Sequence, residues 1–206
     1  SRVLRVIQDK VRQKEFYAAQ GLPTSDFTRY ESLSELQTAV AAGHQSLPFV
    51  WKLGQGGYDG FGVSIVRSQA DLDTLSEGVC IAESLVPIAT EIGVVVARNE
   101  AGETVCFPPV EMEFHPAANQ VEFVVCPASL PVEVLKEAEG LAKRVAESFD
   151  TLGLLAVELF YTQSGEWLVN EVAPRPHNSG HLTIEGCSTS QFEQMLRAMC
   201  HLPFGD

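Results

Sequence analysis

The sequence predicts an α+β fold of two lobes, with largely antiparallel sheets and flanking helices. Three observations carry this expectation. Strand-like runs interleave with helical periods along the 206 residues, and tight turns join several of those runs as hairpins. No segment repeats and none is of low complexity. A composition shift near residues 88–91 separates a smaller lobe, at about 1–87, from a larger one at 88–206.

The elements follow in order. Residues 9–20 carry Val11, Phe16 and Ala19 at helical spacing and stop at Gly21 and Pro23. Residues 27–30 read as a short strand. Ser32 and Glu35 have the spacing of a capping box, opening a helix that ends at Gly43. Residues 48–52 and 63–66 read as strands on either side of a glycine-rich turn, and Ser68 caps a helix running to about residue 77. Strands are predicted at 80–85, 91–97, 104–107 and 121–125. Pro131 suits the first turn of a long helix with Val134, Leu135, Ala138, Leu141, Ala142 and Val145 on one face. Residues 154–161 and 166–172 form a hairpin over a turn at 162–165. A loop at 173–186 then leads to a last helix at about 189–200.

Composition narrows the partners. Asp and Glu number 27 against 14 Lys and Arg, a net charge of −13, which argues against nucleic acid and anionic membranes, since both require a basic face. No apolar run approaches the roughly 18 residues of a membrane span. The N-terminus has neither an initiator Met nor the apolar core of a signal peptide, and reads as that of an excised fragment. The five cysteines, odd in number and without C-x-x-C spacing, read as reduced thiols of a cytoplasmic protein.

The hairpin holds the leading candidate site. With the turn at 162–165, Tyr161 faces Glu166, Glu158 faces Val169 and Glu171 faces Ala156. Glu171 is then diagonal to Glu158 on the same sheet face, where side chains start about 7–8 Å apart. A hard cation such as Mg²⁺ would draw both carboxylates in. The plain alternative is a solvent-facing pair on a one-sided sheet. Against it, Glu158 is the only charge in an otherwise apolar strand, and such a charge needs a partner.

The stretch from Lys52 to Gly62 is dense in glycine, which lets backbone N–H groups approach a phosphate. It is neither a P-loop nor a dinucleotide fingerprint. Lys52, ending an apolar strand, is the natural phosphate cation. Glu83 and Glu91 bracket a connector that could pass beside a flat ligand. The loop after Glu171 presents Arg175, His177, Asn178, Ser179 and His181 between two prolines, an unusual convergence of polar groups.

In order, Lys52, the Gly57-Tyr-Asp-Gly60 run, Glu83, Glu91, Glu158, Asn170-Glu171 and the Pro174-Arg-Pro-His-Asn-Ser-Gly-His181 stretch resemble the ATP-grasp superfamily, and within it the 5-(carboxyamino)imidazole ribonucleotide synthases. The likeness covers nearly the whole chain. It implies an ATP-grasp fold and ATP-dependent carboxylation of 5-aminoimidazole ribonucleotide by bicarbonate, through carboxyphosphate, in purine biosynthesis. It implies ATP and Mg²⁺, with Mn²⁺ as a substitute, as cofactors, and a homodimer. Lys10 and Lys52 would contact phosphates, with Gly57, Tyr58, Asp59, Gly60 and Gly62 closing over them. Glu83, Ser84, Leu85 and Val86 would line the adenine, and Glu91 would take the ribose. Glu158 and Glu171 would bind the metal, with Asn170 beside the nucleotide. Tyr58, Asp59, Arg175, His177, Asn178 and Ser179 would hold the acceptor and the carboxyl intermediate.

The chain departs from that pattern in three places. Phe61 stands where the family carries Arg or Lys, Leu53-Gly-Gln55 replaces a basic stretch, and the segment around His115 is shifted by one residue. An ATP-grasp carboxylate–amine ligase with another acceptor, or a nucleotide-binding module inactive as an isolated fragment, are the alternatives. The family's N-terminal Rossmann-like domain and C-terminal lobe are absent, so the isolated chain is expected to bind Mg-ATP weakly and turn over poorly.

Overall fold

The computed structural model describes residues 2–56, 62–114 and 121–206. Two helices come first, α1 (Arg2–Ile7) and α2 (Lys10–Ala19). The Asp9 carboxylate caps α2 by accepting the N–H groups of Val11 and Arg12, each at 3.1 Å. Next come β1 (Phe27–Tyr30), α3 (Leu33–Ala41), β2 (Phe49–Leu53), β3 (Val63–Val66), the single turn α4 (Gln69–Leu72) and β4 (Cys80–Ser84). Their strands pair as an antiparallel sheet of order β1-β4-β2-β3. Leu36, Phe49, Trp51, Val66 and Leu72 fill the core beneath it.

A six-stranded sheet follows, from β5 (Ile88–Arg98), β6 (Thr104–Cys106), β7 (Val110–Phe114), β8 (Val121–Val125), β9 (Gly153–Thr162) and β10 (Trp167–Ala173). Its order is β10-β9-β5-β7-β8, with β6 beside β5. The long helix α5 (Val132–Phe149) covers one face. It buries Ala138, Leu141, Ala142 and Val145 against Ile92, Val94, Val96, Leu155, Val157 and Leu159. The other face carries Val95, Ala97, Leu154 and Ala156 under the last helix, α7 (Gln191–Met199), whose Met195 packs on them. Between β10 and α7 lie a 3₁₀ turn at Asn178–Gly180 and the short α6 (Thr183–Gly186). No helix among the described residues is long and apolar enough to cross a membrane.

Several elements differ from expectation. Residue 87 lies between the last strand of the smaller sheet and the first of the larger, and Ile7, Tyr17 and Leu22 from the N-terminal segment pack into the core of the larger one. The Ser32 hydroxyl accepts the Glu35 N–H as expected, whereas the Glu35 carboxylate reaches back past Ser32 to the N–H of Glu31 at 2.6 Å. The full reciprocal capping box is at Ser68 and Asp71. The helix predicted from there to residue 77 stops after one turn, because Thr74 and Leu75 close i−3 bonds to Asp71 and Leu72. Strand β7, which expectation omitted, buries Val110 and Met112 in strict alternation.

The hairpin register also shifts. Tyr161 pairs with Trp167, one residue away from the expected partner, and a β-bulge interrupts the ladder between Val169 and Glu171. Glu171 therefore sits directly opposite Glu158 rather than diagonal to it. The bulge adds one residue, Asn170, to the site face. Val169 and Val172 remain in the α5 core, three residues apart, while Asn170 and Glu171 between them both turn the other way.

Candidate active site

Helix α2 crosses between the two sheets and contacts β2, β4 and β10. Besides Val11, its buried residues are the polar Gln13, Lys14 and Tyr17, and half-buried Lys10 completes an i, i+3, i+4, i+7 stripe with them. Lys10 Nζ meets Glu171 Oε2 in a short contact. Lys14 Nζ donates to Thr24 Oγ1 at 2.6 Å and to Ser25 Oγ at 2.9 Å, and lies 3.3 Å from Glu83 Oε2. Gln13 Oε1 accepts from the Tyr17 hydroxyl at 2.7 Å and from the Val172 N–H at 3.3 Å, which ties the helix to β10.

The smaller sheet contributes Lys52 from β2 and Glu83 from the neighbouring β4. Lys52 Nζ is 3.1 Å from Glu83 Oε1 and donates to Asn170 Oδ1 at 2.9 Å, bridging the sheets. Asn170 in turn donates to Glu158 Oε2 at 3.4 Å. Glu83 is buried, which opposes its ionisation, but Lys52, Lys14 and the Ser25 hydroxyl hold it below the usual carboxylate range. Its carboxylate faces Lys14, Lys52 and the Ser25 hydroxyl. Two buried ammonium groups require that counter-charge. Burial in turn lowers Lys14 to about 8, with Glu83 working against the shift.

From the larger sheet come Glu91 on β5, Glu158 on β9 and Glu171 on β10. Burial, then Glu171 and Glu91, push Glu158 up to about 8. Burial lifts Glu91 to about 7, opposed by Lys52. Burial acts on Glu171 too, but Lys10 beside it keeps this carboxyl below its ordinary value. These glutamates outnumber the cations that face them, a disposition that favours a bound cation. Among the described residues no group of three or more His, Cys, Asp or Glu forms a metal cage. Two opposed hard-oxygen donors still fit Mg²⁺, which keeps several waters and takes one or two carboxylates plus phosphate oxygens. The cavity lined by Lys10, Gln13, Lys14, Lys52, Glu83, Asn170 and Glu171 measures about 10 Å³, because the charges close on one another. A wider groove of about 630 Å³ lies elsewhere, between residues 21–27 and Arg144.

The loop after β10 approaches the same face. His177 Nε2 lies 3.4 Å from Glu158 Oε1. His177 Nδ1 lies 3.0 Å from Ser179 Oγ and 3.3 Å from the Ser179 backbone nitrogen, so Ser179 holds one edge of the ring while Nε2 faces the carboxylate. Ser179 packs directly over Gly93, where a Cβ would come within 2.8 Å of the serine Cβ. Gly93 is paired across the sheet with Glu158, so this close approach seats the loop over the metal-binding candidate.

The other expected site residues among those described are mostly exposed. Ser84, which ends β4, and Leu85 are exposed, and Val86 on the connector is half-buried. Arg175 is exposed and donates to the Pro176 carbonyl at 2.9 Å, and Asn178 is exposed. Gly62 closes the glycine-rich segment, its carbonyl accepting from the Leu53 N–H at 2.8 Å. Gly57, Tyr58, Asp59, Gly60, Phe61 and His115 lie outside the described residues. Sequence reasoning missed Gln13, Lys14 and Gln191. The i+4 spacing from Lys10 was a usable signal for Lys14.

The chain is similar to known proteins in sequence and in fold. The ATP-grasp domain family matches residues 15–192. The N5-carboxyaminoimidazole ribonucleotide synthase of Bacillus subtilis is 39% identical over 210 residues, all of this chain and 54% of that protein. The Aspergillus clavatus carboxyaminoimidazole ribonucleotide synthase solved with ATP superposes at a TM-score of 0.90 with 31% identity. That match covers 99% of this chain and 54% of the other. A second structure of that organism's synthase, with ADP and 5-aminoimidazole ribonucleotide, gives 0.88 and 29% over the same shares. The chain thus spans about half the length of these relatives.

Proposed function

The chain belongs to the ATP-grasp family, and from that premise we propose that it is the nucleotide-binding core of an ATP-dependent carbon–nitrogen ligase. The acceptor is 5-aminoimidazole ribonucleotide, carboxylated with bicarbonate in purine biosynthesis. The observation that carries this reading is the opposition of Glu158 and Glu171 across the bulge, with Lys10 on Glu171 and Lys52 linked to Glu158 through Asn170. The relatives named for this reaction, one of them seen with ATP and one with ADP and the acceptor, support it.

The residues act by positioning and charge. Lys10 and Lys52 leave their carboxylate and amide partners to meet the phosphates, and Glu158 and Glu171 hold the divalent ion, Mg²⁺ with Mn²⁺ as a substitute. When bound, that ion supplies neutralisation of the charge that develops on the phosphoryl oxygens. Ser84, Leu85 and Val86 receive the adenine, and Glu91 the ribose hydroxyls. Bicarbonate attacks the γ-phosphate and expels ADP to give carboxyphosphate, and the acceptor's amine then attacks the activated carboxyl, losing a proton as inorganic phosphate departs. His177, Ser179 and Arg175 orient these groups, Arg175 through its planar donor fork. On this reading the enzyme works as a cytoplasmic homodimer, without nucleic-acid or membrane partners.

The test is phosphate release from ATP by the full-length protein, with bicarbonate and Mg²⁺, with and without 5-aminoimidazole ribonucleotide. Release that needs Mg²⁺ and rises with this acceptor supports the reading. Release indifferent to the acceptor points to another amine, and the absence of release sinks the enzymatic assignment.

A further inference from the structure

Gln191 opens α7, well outside the charged cluster, yet its side chain is fully buried. Its primary amide grips one peptide unit of the loop from both sides. Oε1 accepts the His177 N–H at 2.9 Å, and Nε2 donates to the His177 carbonyl at 2.9 Å. The partners assign the amide's orientation without ambiguity, since an N–H must meet oxygen and a carbonyl must meet NH₂. The result mimics a two-bond strand pairing made by a side chain.

The grip is itself braced. The Gln191 N–H donates to Thr183 Oγ1 at 2.8 Å, and that hydroxyl donates to the Gly180 carbonyl at 2.6 Å. Gly180 has no room for a Cβ, which would fall 2.4 Å from Gln191 Oε1. The two ends of the 177–180 turn are thus joined to the start of α7 through one amide and one hydroxyl. The imidazole carried on the gripped residue is the one that reaches Glu158.

We infer that Gln191 is a positioning residue, which aims the His177 imidazole at Glu158 by holding the His177 peptide. The inference rests on the proposed function for its kinetic consequence, but not for its structural one. Few residues meet the geometry. Asn is one methylene shorter, Met loses both bonds at similar volume, and an ionised Glu sets an oxygen against the His177 carbonyl. A protonated Glu restores one donor and one acceptor, so it can replace the amide at low pH.

The experiment uses Gln191→Met and Gln191→Glu in the full-length protein. For Gln191→Met the expected result is a fall in kcat of about 10- to 100-fold with KM for ATP within about threefold, as a misaimed group costs rate more than binding. For Gln191→Glu, activity per folded enzyme relative to wild type rises as pH falls from about 8 to 6, because protonation restores the donor to the His177 carbonyl. Nitrogen-15 spectra of the His177 ring, without nucleotide, should change in Gln191→Met. Unchanged ring signals, or a kcat loss that merely tracks the folded fraction, overturns the positioning role. A wild-type protein with no acceptor-dependent phosphate release overturns the proposed function instead, and leaves the ring measurement to decide this inference.

Discussion

Two charged clusters meet at the junction of the sheets, and they are built on opposite principles. Around Glu83, Lys14 and Lys52 lie within 3.3 Å of the carboxylate and the Ser25 hydroxyl donates to it, with side chains 3–9% exposed. Two cations there flank one anion, and Thr24, Ser25 and Asn170 supply hydrogen bonds locally, which is how buried charge is tolerated. Around Glu158 the balance is reversed. Glu91 and Glu171 surround it, its companions are an amide and an imidazole, and its carboxyl is pushed up to about 8. One cluster is a finished joint between lobes, and the other is a carboxylate-rich surface that a cation completes.

The largest effect should come from breaking the joint. Lys14→Met leaves Glu83 buried with one cation fewer, and losing one partner of a buried pair costs about 3–5 kcal/mol. Urea denaturation should show this as a lower midpoint. A change below about 1 kcal/mol would mean that Lys52 alone suffices and that the two clusters differ less than their geometry indicates.

Next in size is the open pair. Glu158→Gln should leave folding stability unchanged or improved in the absence of metal, since it removes repulsion. Glu158→Gln and Glu171→Gln should each lower Mg²⁺-dependent phosphate release by about 100- to 1,000-fold, the usual scale for a preorganised charge-stabilising group. If Glu158→Gln destabilises the metal-free fold as much as Lys14→Met does, the contrast fails.

The third test sharpens the comparison through pH, where the change within any one pH unit is the smallest of the three. Glu158 and Glu91 have folded-state values raised to about 8 and about 7, so the folded state binds more protons than the unfolded one between about 4.5 and 8. Their contribution is complete below the unfolded value and is lost as pH rises through the folded ones. Metal-free stability should therefore decline across that window, with a slope on the order of 1 kcal/mol per unit for each group. Glu83 has the opposite sign: its folded value is lowered, so its contribution is lost only as pH falls below the usual carboxylate range. Urea midpoints from pH 5 to 8 for wild type and Glu158→Gln check this, and equal slopes would remove Glu158 as the source.

Much of this was legible from residue patterns. Strands at Phe27–Tyr30, Val63–Val66 and Val121–Val125 coincide with expectation, because alternation and flanking turn residues mark short strands well. The shared face of Glu158 and Glu171 was also legible, although its register was not. A turn length predicts a regular ladder, and nothing in Trp-Leu-Val-Asn-Glu-Val-Ala announces a bulge except two polar residues in succession. Lys14 and Gln191 were hidden for a different reason. Lys and Gln are exposed by default, and only tertiary packing shows that they are buried and bonded.

The bulge has a consequence for how this hairpin can change length. Removing Asn170 would restore strict alternation with Val169 and Val172 still inward and Glu171 still opposite Glu158. The shortened strand would keep its core and its carboxylate pair and would lose the amide that Lys52 holds from the other sheet. Asn170 therefore behaves as a detachable graft: a single-codon insertion or deletion there changes how the lobes communicate while leaving the scaffold intact.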